Sequence, residues 1–130
     1  MVHSEMDDNW RYERLHKADE KRAIDEMKHA EKLIARILFL EGIPVVSKLK
    51  DILIGSNVEA QHKNDLESEY GAVKSYNDGI RLAIDVADGG TRELLEHILK
   101  EEEDHVDWLE AQLDQMKQMG SQNYLVEQID

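Results

Sequence analysis

Three stretches of this chain repeat their apolar side chains with helical spacing, and each sets one glutamate in the middle of its apolar stripe. A helix turns about 100° per residue, so relative directions follow from numbering. With Glu26 at zero, Leu15, Ala23, Ala30, Leu33, Ile37 and Leu40 fall within about 60°, and so does His29. With Glu69 at zero, Val58, Leu66, Ala72, Val73, Tyr76, Ile80, Ala83 and Ala87 do the same. With Glu102 at zero, the stripe is Leu95, Ile98, Leu99, Val106, Leu109, Leu113 and Met116, and His105 joins its edge. Glu101 and Glu103 swing about 100° to either side, so Glu102 is the inward acid of the three.

Punctuation sets the lengths. Residues 1–8 are too short to form a stable helix alone. A helix is expected over 10–41, stopped by Gly42 and Pro44. Residues 42–56 form an apolar linker whose length suits a long crossover between helices pointing the same way. Ser56-Asn57-Val58-Glu59 reads as a capping box, which opens a helix over 57–88 that Gly89-Gly90 ends. Thr91 is the expected cap of a helix over 91–119, with Gly120 as its stop. A short terminal helix is expected over 121–130. The fold class is all-α, in one domain of 130 residues.

Three carboxylates in an apolar interior are costly unless positive charge compensates them. Arg22 lies near the first stripe and can pair with one of them, which keeps a buried salt-bridge network as an alternative. The other reading is metal. Glu26-Met-Lys-His29 and Glu102-Glu-Asp-His105 each place a carboxylate and an imidazole one turn apart, and Glu69 adds a third carboxylate. This set, free of sulfur, suits Fe(II), Mn(II) or Zn(II). The spacing alone is weak evidence, because Glu13-Arg-Leu-His16 and Glu59-Ala-Gln-His62 share it. Glu13 and His16 point away from Glu26 and read as a solvated pair. His62 reads as an interior-end histidine, and His97 as outward and inert. Met27 shares a second apolar face with Ile24, Ile34 and Leu38, which points to a partner chain. It is either an interface filler or a thioether ligand to a haem iron on a two-fold axis.

The net charge of −13 gives an acidic surface that concentrates cations, and no basic patch suits nucleic acid. The absence of cysteine excludes disulfides and thiolate metal sites and fits a cytosolic protein. No apolar run reaches the roughly 18–20 residues of a membrane span.

The runs Ile24-Asp-Glu-Met-Lys-His-Ala-Glu-Lys32, Arg36-Ile-Leu-Phe-Leu-Glu-Gly-Ile-Pro44, Glu101-Glu-Glu-Asp-His-Val-Asp-Trp-Leu-Glu110 and Gly120-Ser-Gln-Asn-Tyr-Leu125 resemble bacterioferritin. The resemblance runs from about residue 2 to the C-terminus. It implies a ferritin-like four-helix bundle in a 24-subunit cage that oxidises Fe(II) and stores ferric mineral. It implies that Glu26 and Glu102 bridge two irons, that Glu69 and His105 are terminal ligands of one, and that His29 is a ligand of the other. It also implies a b-type haem shared by two subunits through Met27 of each, a ferredoxin-type reductase as partner and a cytoplasmic location. Asp25 marks an inner-surface iron site in some members, whose companion histidine appears here as Lys21. In the family a full first helix supplies one more glutamate beside His29; Met1-Val-His-Ser-Glu-Met resembles only its last turns. A start at an internal Met or a truncated chain is the favoured explanation, and a short subunit completed by full-length partners is the other. The expected function is therefore iron storage with ferroxidase activity. The alternative is a ferroxidase-impaired structural or haem-bearing subunit, and a third reading is a small di-iron peroxide reductase.

Overall fold

The computed structural model describes residues 1–45 and 53–129. Five helices account for most of them: α1 Val2–Asn9, α2 Glu13–Phe39, α3 Val58–Asp85, α4 Gly89–Met119 and α5 Ser121–Val126. The all-α bundle expected from the stripes, ferritin-like as the resemblance implies, is the fold observed. Residues 46–52 of the crossover, together with Asp130, lie outside the described residues. No helix among the described residues is long and apolar enough to cross a membrane.

The helix expected over 10–41 starts instead at Glu13, and the segment expected to be too short for a stable helix alone forms α1. Arg11 adopts a left-handed φ of 67° and the Tyr12 N–H donates to Asp7 O at 2.8 Å, so α1 turns back along α2. Docking accounts for its stability, since an isolated eight-residue helix is marginal in water. His3, Ser4 and Asp7 are buried against its neighbours, and a His16 ring nitrogen meets Ser4 O at 2.7 Å. His16 is thus not a solvated partner of Glu13. It pairs with Glu20 at 3.4 Å, while Glu13 pairs with Lys17.

The helix starts differ by a residue or more from the expected caps. Asn57, not Ser56, caps α3 by accepting the Ala60 N–H at 2.8 Å. Asp88, not Thr91, caps α4, accepting the Thr91 N–H at 3.1 Å, and Gly89-Gly90 fall inside the first turn of α4. Asp88 also receives Arg36 at 3.0 Å, which ties the C-terminal end of α2 to the α3–α4 corner. These are satisfied helix-end groups, each worth about 1 kcal/mol.

Helices α3 and α4 form the most closely packed pair, and α2 reaches α4 mainly through long side chains. One apolar cluster, Leu15, Val58, Met116 and Tyr124, closes the end of the bundle where α5 folds against α4. Toward the other end the α2 stripe is uncovered: Ala30, Ile37 and Leu40 are exposed. Between these ends lies the band that holds the acids.

Candidate metal centre

Each long helix delivers its mid-stripe acid to one spot. Glu26, Glu69, Glu102 and His105 offer ligand atoms that all lie within 4.8 Å of one another. Glu102 is fully buried, Glu69 is 6 % exposed, and the Glu26 side chain keeps 42 % of its surface. His29 completes the set from the α2 side, with Nδ1 at 2.8 Å from Glu102 Oε1 and 3.8 Å from Glu26 Oε2. All five residues expected from the stripes therefore converge. Within this cluster Glu26 Oε1, Glu69 Oε2, Glu102 Oε2 and His105 Nδ1 are buried and lack a hydrogen-bond partner. Buried polar atoms are rarely left so. A group of unpartnered oxygens and imidazole nitrogen, free of sulfur, is what a pair of divalent first-row ions would satisfy.

Crowding of buried acids and an imidazole shifts their titration strongly. Burial, the contact with Glu102 and the charges of Glu102 and Glu26 push Glu69 up to about 9. Burial works the other way on His105, but bonds to Glu102 and Glu26 and the charge of Glu69 outweigh it and raise the ring to about 10. Glu102 is held well below the usual carboxylate range, since contacts with His105, Glu69 and Glu26 overcome the cost of its burial.

Two residues outside the expected five adjoin this cluster: Glu101, which stripe geometry turned aside, and Asp25, which the resemblance linked to an inner-surface site. Glu101 Oε2 bonds to His29 Nε2, and Asp25 Oδ2 lies 3.3 Å from His105 Nε2. Each is the acid immediately before an inward glutamate, and each holds the histidine of the opposite helix. The Nδ1 of each ring is thereby turned toward the carboxylate cluster, the arrangement that orients metal-binding imidazoles. The repeated pattern acid-Glu-x-x-His, at Asp25 and at Glu101, was the available signal. His97 is exposed as expected but is not isolated, because it meets the other Glu101 oxygen at 3.2 Å.

The remaining singled-out residues lie off the cluster. His62 is fully buried at the α5 end, where its Nε2 meets Tyr124 OH at 3.1 Å. Tyr124 gives its one proton to Gln112 Oε1 at 2.5 Å, so His62 donates and its Nδ1 is a bare lone pair without a partner. His3 accepts the Gly55 N–H at Nε2 and donates from Nδ1 to Asp65 at 3.0 Å. Arg22 pairs chiefly with Asp65, at 2.6 Å, rather than with one of the three inward glutamates. Met27 is 58 % exposed on the outer face of α2, beside the exposed Ile24 and Leu38.

Inward carboxylates and histidines from three long bundle helices define a ferritin-like protein, and the ferritin-like domain family matches residues 1–119. The chain is 37 % identical over 123 residues to the bacterioferritin of Brucella melitensis, which covers 95 % of this chain and 76 % of that one. It is 36 % identical to bacterioferritin BfrA of Mycobacterium tuberculosis, over 95 % of this chain and 77 % of that one. For the bacterioferritin of Rhodobacter capsulatus the figures are 35 %, 95 % and 76 %. The chain belongs to the bacterioferritin family.

Proposed function

We propose that the chain stores and detoxifies iron in the cytoplasm, binding Fe(II) at a ferroxidase centre and assembling with copies of itself or full-length relatives into a cage. The observation that carries this reading is the convergence of Glu26, Glu69, Glu102 and His105 within 4.8 Å, with orphaned buried atoms on each. Two bound irons would supply electrons to dioxygen or peroxide. The residues do the rest. Glu26 and Glu102, set between the two histidines, would span the pair. Glu69 and His105 would hold one side and His29 the other. Asp25 and Glu101 would keep both rings aligned, and the protons on His105 and Glu69 would leave as cations enter.

Met27 supports a b-type haem between two subunits: its sulfur is a recognised axial donor type, and it sits exposed on an apolar face. A ferredoxin-type reductase would then return electrons to release iron. The half-open Glu26 side of the centre favours a second reading, a structural or haem-bearing subunit with slow oxidation. Fe(II) oxidation followed by absorbance separates the two. The ferroxidase reading predicts a fast phase that falls by about a hundredfold or more in Glu69→Ala/Glu102→Ala, given that even partners one shell further out cost 10–100-fold. Oxidation that survives in the double variant would overturn the site.

A further inference from the structure

Arg22 stands between two groups of acids. One of its terminal nitrogens lies 2.6 Å from Asp65 and 3.8 Å from Asp19. The other lies 4.0 Å from Glu69 Oε1, is buried, and has no hydrogen-bond partner. Arg22 lines three cavities. One of about 340 Å³ is bordered by Arg22, Glu26, Glu69 and Glu102, with Asp65 also on its wall. Another, of about 370 Å³, is bordered by Arg22, His3, Asp19 and Asp65. The guanidinium therefore has acids on both sides and room to move.

Cation entry forces a choice on this residue. Protonated carboxyls and imidazoles can give up protons when a divalent ion arrives, but a guanidinium cannot. A doubly charged ion on Glu69 would face a fixed positive charge across a few ångström of low-dielectric interior, where repulsion is strong. Asp65 already holds the other end of the fork at 2.6 Å, with Asp19 behind it at 3.8 Å.

We propose that Arg22 is the built-in counter-cation of the inward carboxylates, displaced toward Asp19 and Asp65 when a divalent ion binds at Glu69, so that it sets the affinity of the centre. This rests on the metal-centre reading above. A purely structural Arg22 would have the opposite signature: its loss would loosen the site and weaken binding.

Calorimetric titration with Zn(II), a redox-silent probe, tests the sign. Arg22→Gln is expected to bind the first ion on the order of tenfold tighter than wild type. Arg22→Lys, which keeps the charge, is expected to stay near wild type. If Arg22→Gln does not fold, Asp65→Asn serves instead: with its far anchor gone, Arg22 leans on Glu69 and the first ion binds more weakly by a similar factor. Unchanged or weaker binding in a folded Arg22→Gln overturns the proposal, as does unchanged binding in Asp65→Asn. The wild-type titration separates the two levels of failure. No Zn(II) bound there removes the metal centre itself, and Arg22's role with it.

Discussion

Asp7 on α1 is fully buried, and so, nearly, is Asp19 on α2; none of their four carboxylate oxygens accepts a hydrogen bond, and Arg22 stays 3.8 Å from Asp19. The two face each other and can bond only if one keeps a proton. Burial, that bond and the charges of Asp19 and Asp65 raise Asp7 from 3.8 to about 9. The sign follows. Between those values the native chain holds a proton that the unfolded chain releases, so stability falls as pH rises across the window, and below it the penalty vanishes. Asp7→Asn is expected to flatten that slope, raising Tm relative to wild type by at least about 3 °C at pH 8 and by less at pH 5. Thermal denaturation at the two pH values checks it; equal shifts at both would show that Asp7 is not the titrating group. Asp7 also marks a limit of sequence reading. Nothing in Met1 to Asp8 showed that this acid would be buried, because its burial depends on α1 turning back at Arg11. Glu26, Glu69 and Glu102 were legible because their directions within helices follow from numbering alone. Glu101 was not: angular reading locates a Cβ, and a long side chain can still cross to His29 on the next helix.

Periodicity identified α2, α3 and α4 because each exceeds 25 residues, long enough for a stripe to stand out. It gave no information on which face would be covered. The uncovered Ala30, Ile37 and Leu40 belong to the same stripe as the buried Leu15. Caps were missed by one to three residues because several polar side chains at each start could reach a free N–H, and local rotamers decide between Ser56 and Asn57. The six-residue α5 is too short for any periodic argument, and its position depends on Tyr124. That hydroxyl links His62 on α3 and Gln112 on α4. Tyr124→Phe leaves both buried groups unpaired and is expected to cost about 1–3 kcal/mol in urea denaturation, with Zn(II) binding unchanged. A loss below about 0.5 kcal/mol would mean the network is not what holds the helix.

At the scale of the molecule, two surfaces expose clusters of large apolar side chains. The α2 flank carries the exposed Ile24, Met27 and Leu38, and the α2 end carries Phe39, Leu40 and Ile43. Apolar faces of this kind belong to assemblies. The acidic surface, with a net charge of −13, would draw cations toward the bundle, where the proposed centre would receive them. The centre itself is uneven. Glu26, Glu69, Glu102 and His105 form a compact four-residue group, whereas the other side offers His29 with the two shared carboxylates. The most direct test is anomalous diffraction at the iron edge from crystals of the assembled protein loaded with Fe(II). The account predicts two iron peaks per chain in contact with Glu26 and Glu102, the fuller one beside Glu69 and His105 and the weaker one beside His29. No iron at these five residues, with ordered iron elsewhere in the bundle, would contradict it.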